Sequence, residues 1–284
     1  MNAAASAPNR GAGRVLGICA DDIGLVAGAA DTASDLAAAG RLTSASCVTT
    51  GTLWRHEAEA LSGLETGLHF NLGEGAPLST ALAARWPVFP GLGKLIVLAH
   101  LGALPLAALA DEWQAQVDAF TEATGHEPDF VDGHQHVHHL PGVRAVVLDG
   151  VARFGTPPAV RNTGHLVGPG AGFKRRVIEA TGGRALEAEL RQRGLRHNGA
   201  LLGAYDFEAG YRERVVDWLA AAPAEGGLLF CHPCSAAALD GKDPIAAARR
   251  REAAYLDSDL FAADLAAAGV SVGPAWALRS SSAD

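Results

Sequence analysis

Residues 14–40 read RVLGICADDIGLVAGAADTASDLAAAG, and they set a pattern that the rest of the chain repeats. The run at 14–20 is short and apolar, as expected for a strand that is buried on both faces. The alanine-rich segment 26–39 reads as a helix, and Gly40 stands where a helix C-cap is expected. The stretch therefore predicts a strand, a turn that carries two aspartates, and a helix.

The same alternation continues to the end of the chain. Further strands are predicted at 43–50, 66–72, 129–136, 159–162, 227–231 and 270–273. Helices are predicted at 53–61, 106–125, from Pro141 onward, in two segments near 173–194, at 207–222 and at 243–268. Alternating strands and helices predict an α/β fold with a mostly parallel sheet, either open or closed into a barrel. We expect one domain over residues 14–278.

One segment does not follow the pattern. Residues 73–105 are rich in glycine and proline and show no clear period. Long loops in compact domains are usually functional, so we interpret this segment as an excursion beside a site.

The composition limits the class of protein. The chain has 284 residues, of which 49% are hydrophobic, which is enough for a large core. Its formal net charge of −8 argues against a nucleic-acid binder, which would need a basic face. Two basic runs, 174–176 and 249–251, are interpreted as solvated helix faces. Four cysteines are too few for a disulfide scaffold at this length.

The ends of the chain suggest where the protein is located. Residues 1–13 are small and polar, so we expect a disordered tail without a secretion signal, and residues 279–284 form a second tail. The most apolar later stretch begins at Val97, but His100 and Pro105 interrupt it and it is too short to span a bilayer. We therefore expect a soluble, cytoplasmic protein with no transmembrane segment. The sequence does not determine the oligomeric state, and a homodimer is possible.

Residues capable of chemistry fall at predicted strand ends. The first strand ends in Asp21-Asp22, the third carries His69, the fourth runs into His134, and a late strand ends in His232. In parallel sheets and barrels, ligands bind at this edge. Carboxylate plus imidazole is the ligand chemistry of a catalytic divalent metal. Adjacent aspartates diverge, so one can bind the metal while the other acts as a base.

The fourth strand leads into a histidine cluster, DFVDGHQHVHHLP at 129–141. If the extended geometry continues, His134, His136 and His138 point to one side, about 6.5 Å apart for each two-residue step. A pair such as His134 and His136 could then bind one metal. Equally, one of the histidines could bind the metal while its neighbours contact the substrate or hydrogen-bond to the other metal ligands. The spacing does not choose between these arrangements.

Each feature also has a simpler interpretation. Asp22 could cap the following helix, and His69 could be a core histidine. The histidine cluster could be a solvated loop. Cys231-His232-Pro233-Cys234 is a C-x-x-C that suggests a redox pair, although it lies far from an early βα unit. The position of all the candidates at strand ends favours one site over these separate explanations.

Several motifs together resemble a known family. Residues 20–25, ADDIGL, resemble the "ADDFG(L)" opening of the YdjC-like carbohydrate deacetylases. Further stretches match in order: LTSASCVTT (42–50), GLHFNLGEGAPLS (67–79), DFVDGHQHVHHLP (129–141) and LLFCHPC (228–234). That family includes chitooligosaccharide deacetylases and hopanoid-biosynthesis-associated deacetylases. The resemblance extends from about residue 14 to the final helix.

The resemblance implies a fold and a metal site. The fold would be a distorted (β/α) barrel of the glycoside hydrolase and deacetylase type. One divalent metal ion, Mg²⁺ or Zn²⁺, would be bound by Asp22, His69 and His134. Asp21 would be the general base. His136 and His138 would line the substrate groove or orient neighbouring residues.

The implied reaction is metal-dependent hydrolysis of an N-acetyl group from an amino sugar, carried by an oligosaccharide or a glycolipid. His232 is our candidate for the acid that protonates the leaving amine. Arg161, at another predicted strand end, is a candidate for substrate contact. Ile23 and Cys234 depart from the family pattern, and residues 165–206 match only loosely. The substrate is therefore less determined than the reaction.

Two other classes of protein remain. In metal-dependent amidohydrolases a His-x-His motif usually ends the first barrel strand, whereas here it lies near the middle of the chain. A non-catalytic protein that binds metal or sugar could use the same fold. The presence of Asp21, which the metal does not need, favours an enzyme.

Overall fold

The computed structural model describes residues 14–61, 63–168, 172–224, 226–235 and 243–276. The tails expected at 1–13 and 279–284 lie outside these residues. The described strands are β1 (Arg14–Ile23), β2 (Ser44–Cys47), β3 (Glu65–Phe70), β4 (Phe130–Gly133), β5 (Ala159–Val160), β6 (Leu201–Leu202), β7 (Gly227–Cys231) and β8 (Val270–Val272).

All the strand pairs are parallel, in the order β5-β4-β3-β2-β1-β7-β6, and β8 pairs with β1. The sheet forms a half-barrel surrounded by helices, which confirms the expected α/β class. No strand ladder joins β5 to β6 within the described ranges. Instead, the Asn162 backbone N–H donates to Asn198 Oδ1 at 2.7 Å, and Asn198 Nδ2 donates to the Asn162 carbonyl at 3.1 Å. These side-chain bonds connect the segments after β5 and before β6, where the sheet is open.

The helices cover the outside of the sheet. In the described part of the chain they are α1 (Ala29–Ala38), α2 (Trp54–Glu57), α3 (Thr80–Ala83), α4 (Leu92–His100), α5 (Leu106–Thr124), α6 (Val143–Val151), α7 (Gly172–Ile178), α8 (Arg184–Arg193), α9 (Tyr211–Ala221), α10 (Ala246–Leu256) and α11 (Asp259–Ala268). None of the described helices is both long and apolar enough to cross a membrane. Strand residues such as Ile18, Leu68 and Leu229 are fully buried beneath the helices. Burying such a side chain contributes roughly 1.5–3 kcal/mol to folding.

The fourth strand is shorter in the structure than the range 129–136 predicted from the sequence. β4 stops at Gly133, and His134–His139 form a short 3₁₀ segment. Gln135 and His136 have φ values of 53° and 62°, which lie in the left-handed region and end the extended geometry. The alternative in which His134, His136 and His138 share one side of a strand is therefore wrong.

Two other elements differ from the sequence expectation. The helix predicted at 243–268 divides into α10 and α11, because Ser258 adopts an extended conformation with ψ 155°. β6, a strand of two residues, was not expected from the sequence.

The excursion at 73–105 contains α3 and α4 and is anchored to α5. The buried Glu112 carboxylate accepts hydrogen bonds from the backbone N–H groups of Leu78, at 3.0 Å, and Ser79, at 2.8 Å. One carboxylate thus satisfies two backbone donors just before α3. The excursion is therefore tied to the domain close to the strand ends.

Candidate active site

A cavity of about 350 Å³ lies where β1, β3, β4 and β7 end. The aspartates and histidines that line it include Asp21, Asp22, His69, His134, His136 and His232, and Glu74, Asp243 and Arg249 add further charges. Most of the remaining wall is apolar, with Leu25, Leu92, Val177 and Ile178 among its residues. The structure therefore brings the aspartate pair and three strand-end histidines into one cavity, with a further histidine of the cluster beside them.

The two aspartates diverge because β1 is irregular at its end. The pairing of β1 with β2 shifts register between Ala20 and Ile23, and Asp22 has a φ of 69°. A left-handed conformation is uncommon outside glycine and persists only where the surroundings hold it. It directs Asp22 toward the histidines, while Asp21 contacts Arg161. Adjacent carboxylates can thus serve two functions.

Asp22, His69 and His134 form a buried cluster. Asp22 Oδ1 lies 3.0 Å from His134 Nδ1 and 3.6 Å from His69 Nε2. One ligand atom from each residue lies within 4.8 Å of the others. Ligand atoms bonded at about 2.0–2.2 Å to a shared ion stand roughly 3–3.5 Å apart, so the spacing fits a divalent metal. One carboxylate and two imidazoles also leave coordination positions for water or substrate.

The electrostatics of the cluster favour a cation. Burial by itself raises the pKa of Asp22, but His134 and Arg249 hold that pKa well below its usual range. Burial lowers the pKa of His134, but the carboxylates of Asp22 and Glu74 raise it to about 10. The carboxylates of Asp22 and Glu74 thus stabilise a proton on His134, and a metal ion bound there would replace that proton.

His69 is oriented by a buried carboxylate. Its Nδ1 lies 2.6 Å from Asp132 Oδ1, and Ser46 Oγ donates to the same oxygen at 2.5 Å. Asp132 belongs to β4 and Ser46 to β2, so three neighbouring strands fix the ring. Its Nε2 is then the nitrogen that faces Asp22. Such a carboxylate partner orients a metal-binding imidazole and raises its basicity.

His134 also has a carboxylate neighbour, but a more exposed one. Its Nε2 lies 3.3 Å from Glu74 Oε1, and Gln135 Nε2 donates to the same oxygen at 3.1 Å. The Glu74 side chain is 55% exposed and stands at the start of the excursion. Glu74 therefore links the excursion to the cluster of Asp22, His69 and His134.

Asp21 is bound by Arg161 in a buried, bidentate pair. Arg161 Nη1 donates to Oδ2 and Nη2 donates to Oδ1, both at 2.6 Å. Arg161 Nη2 also lies 2.6 Å from Asp132 Oδ2. The Arg161 side chain is fully buried, whereas we expected it to contact substrate. The structure places it behind Asp21, where it orients that carboxylate and connects it to the partner of His69.

His232 follows β7 and is held at its backbone. Its N–H donates to Glu252 Oε2, and the Tyr205 hydroxyl donates to Glu252 Oε1. His232 Nδ1 lies 4.0 Å from Glu252 Oε2. Burial raises the pKa of Glu252 to about 7, although the two hydrogen bonds lower it. The Phe207 and Phe230 rings meet the His232 ring edge-on, with centroids 5.2 and 5.8 Å away.

The other histidines of the cluster point in different directions. His136 lines the cavity and packs edge-on against Phe230 at 5.2 Å. His138 is fully buried, its Nε2 donates to the Arg161 carbonyl at 2.9 Å, and burial lowers its pKa to about 4. His139 lies between the hydroxyls of Thr163 and Thr181. Of the two residues expected at the groove, only His136 lies on the cavity.

The cysteines of the C-x-x-C motif lie in the core. Cys231 and Cys234 are both buried, and burial raises the pKa of Cys231 well above its usual value. A buried thiol without thiolate character is unreactive. The redox interpretation therefore has no support from the structure.

Sequence reasoning missed four charged residues around the site. The aspartate that precedes the histidine cluster, Asp132, was part of the recognised motif but had no assigned function. Arg249 was placed on a solvated face, yet it is buried, and its Nη2 donates to Asp22 Oδ2 at 2.8 Å. Glu74 lay within a matched stretch. Glu252 gave no signal, because a single glutamate in an alanine-rich helix resembles a surface residue.

Comparison with known proteins gives a family match. Residues 15–267 match the model of a family described as YdjC-like protein. A mouse protein named carbohydrate deacetylase is 33% identical over 201 residues, which are 66% of this chain and 64% of the relative. A chitooligosaccharide deacetylase of Enterobacter sp. (strain 638) is 34% identical over 152 residues, which are 50% of this chain and 57% of the relative. The matched region thus spans less than two thirds of these relatives' length.

A solved structure shows the same fold. It is a protein from Enterococcus faecalis whose description as a cellobiose-phosphate cleavage protein is provisional. The two chains share 20% sequence identity and a TM-score of 0.72, over 92% of this chain and 97% of the other. At this identity the similarity supports the fold alone.

Proposed function

Because the chain belongs to the YdjC-like family, we propose that it hydrolyses the N-acetyl group of an amino sugar, releasing acetate and a free amine. The names of the mouse and Enterobacter relatives support a sugar deacetylase. The observation that carries the proposal is the cluster of Asp22, His69 and His134 in the same cavity as Asp21. Metal ligands beside a separate carboxylate can supply both the Lewis acid and the base for hydrolysis of an amide.

The metal would be held by Asp22, His69 and His134. When bound, a divalent ion supplies Lewis acidity that polarises an amide carbonyl and lowers the pKa of a water. Two imidazoles suit Zn²⁺ better than Mg²⁺, which prefers oxygen ligands, so of the two ions we propose Zn²⁺.

Asp21 would accept the proton of the attacking water. Its carboxylate lines the cavity, and the bidentate contact with Arg161 fixes its orientation. Positioned acids and bases contribute about 10²–10⁴-fold to rate. Arg161 would act as a positioning residue, since its buried guanidinium does not reach the cavity.

His232 would donate a proton to the amine as the C–N bond breaks. An amine leaves poorly as an anion, so protonation must accompany cleavage. The water oxygen ends on acetate, one of its protons goes to Asp21, and the leaving nitrogen takes a proton from His232. Glu252 holds the backbone of His232 and would keep its ring directed at the cavity.

The size of the cavity limits the part of the substrate that enters. A volume of about 350 Å³ is at the lower end of the range for small-molecule sites, so we propose that one N-acetylated sugar ring enters. The remainder, whether further sugars or a lipid, would lie outside. His136 lines the cavity and is the candidate for contact with the sugar.

The test is acetate release from a panel of N-acetylated substrates. The panel spans chitooligosaccharides and N-acetylglucosaminyl lipids, with Zn²⁺, Mg²⁺ or no added metal. We expect acetate and free amine in equal amounts from at least one member, and only when metal is present. Metal binding without acetate from any member would favour a binding protein instead.

A further inference from the structure

The excursion has a charge that is opposite to that of the rest of the chain. From Gly75 to Ala110 the sequence contains no aspartate or glutamate, but it includes Arg85 and Lys94. The whole chain has 31 acidic and 23 basic residues. Arg85 and Lys94 are both exposed, and within the described residues neither pairs with a carboxylate. The excursion is therefore a cationic region on an acidic protein.

The same region exposes large apolar side chains. Among the described residues, eight large hydrophobic side chains are exposed, and four of them belong to the excursion. The four are Leu78, Val88, Val97 and Leu101, and a fifth, Leu106, directly follows the excursion at the start of α5. Such a concentration of exposed apolar side chains in one segment points to an interaction site.

Helix α4 gathers part of this surface on one face. Lys94, Val97 and Leu101 follow the three- and four-residue spacing that aligns side chains along a helix. Val97 is 55% exposed and Leu101, directly after the helix, is 74% exposed. Leu95 and Ala99, on the opposite side, are buried. We name the surface formed by Lys94, Val97 and Leu101 the α4 face.

The α4 face lies next to the candidate active site. Leu92, the first residue of α4, lines the cavity, so the helix begins at the cavity wall and its outer face turns to solvent. Whatever covers the α4 face would therefore stand beside the cavity.

We propose that the α4 face docks on an anionic membrane surface. Val97 and Leu101 would enter the boundary between headgroups and acyl chains, while Lys94 contacts lipid phosphates. The nine-residue helix would lie along the surface. Because the rest of the chain is acidic and would be repelled, charge selects this face for the approach.

A second copy of the chain fits the α4 face less well. A two-fold interface would bring the same face of each copy together, and the two Lys94 charges would then repel. An anionic lipid surface complements both the charge and the apolar side chains.

Docking would also indicate the class of substrate, and this consequence depends on the proposed deacetylase function. A cavity held against the bilayer would receive an N-acetylated sugar carried on a lipid. The docking itself requires no catalysis, so vesicle binding and acetate release can fail separately.

The test is flotation of the full chain with vesicles. Phosphatidylglycerol and phosphatidylcholine in equal parts form the anionic vesicles, and pure phosphatidylcholine forms the neutral ones. We expect binding to the anionic vesicles that weakens in 0.5 M NaCl, because exposed charges are screened. Val97→Ser with Leu101→Ser should reduce the partition coefficient by about tenfold or more.

The matched control replaces two exposed hydrophobic residues on other helices, Val216→Ser with Leu260→Ser. It should bind like the unchanged chain, and both double variants should keep its thermal melting and its acetate release from a soluble oligosaccharide. The proposal is overturned if the unchanged chain does not float with anionic vesicles, or if the control loses binding equally. It is also overturned if light scattering shows a dimer that only the α4 variant dissociates.

Discussion

The Arg161 guanidinium holds both carboxylate oxygens of Asp21, with each N–O distance 2.6 Å. The same guanidinium lies 2.6 Å from Asp132, which in turn contacts His69. One buried cation therefore fixes the proposed base and, through Asp132, a proposed metal ligand. The distance between Asp21 and the cluster of Asp22, His69 and His134 is therefore set by contacts in the buried core and not by a surface loop.

Arg161 should consequently dominate the local stability. Arg161→Met leaves the carboxylates of Asp21 and Asp132 buried without their counter-charge, which should lower the free energy of unfolding by about 3–5 kcal/mol. Urea unfolding at pH 7 measures this. The control is Arg55→Met, because Arg55 and Glu122 form an exposed pair that should contribute no more than about 1 kcal/mol. Equal stability of the two variants would contradict the account.

Glu74 should strengthen metal binding through His134. Glu74→Gln removes the charge beside His134 Nε2 and should raise the Zn²⁺ dissociation constant by about 10–100-fold, as loss of such a partner typically does. Competition with a chromophoric chelator measures the constant without any assay of activity. Glu59→Gln, at an exposed position, is the matched control and should leave it unchanged. If Glu74→Gln bound Zn²⁺ as tightly as the control, the assigned contact would have no influence on the metal.

Glu252 should make stability depend on pH. Its pKa of about 7 in the folded protein exceeds the value of about 4.3 for an unfolded chain. The protonated form is thus favoured by folding, and its contribution is complete below pH ~4.3 and lost as pH rises through 7. The loss between pH 5 and pH 8 should be about 3 kcal/mol.

The measurement compares unfolding free energies of the unchanged chain and Glu252→Gln at those two pH values. The variant does not titrate at this position, so its stability should fall less across the interval. Equal slopes for both proteins would show that Glu252 titrates normally.

The positions of residues at strand ends predicted which side chains the fold brings together. Asp22, His69 and His134 were expected at the ends of separate parallel strands, and parallel strands meet at one edge regardless of their spacing in sequence. The family resemblance and the α/β pattern likewise gave the class of fold. Both inferences depend on topology, which can be predicted from the alternation of strands and helices along the sequence.

The backbone conformation and burial of single residues could not be predicted from the alternation of strands and helices. Gln135 and His136 adopt left-handed φ values that no pattern signals, so the histidine cluster leaves the strand where we expected it to continue. Arg161 and Arg249 are buried, although arginine is usually exposed. Their burial depends on carboxylates 140 and 227 residues away in sequence, and only the folded chain brings these partners together.

In the proposed reaction, Asp21 acts as the base beside a metal held by other residues. The most direct test measures acetate release and bound metal in the same samples of the unchanged chain and Asp21→Asn. We predict that the turnover number falls by about 10²–10⁴-fold while the metal content stays the same. Undiminished turnover in Asp21→Asn at equal metal content would contradict the account.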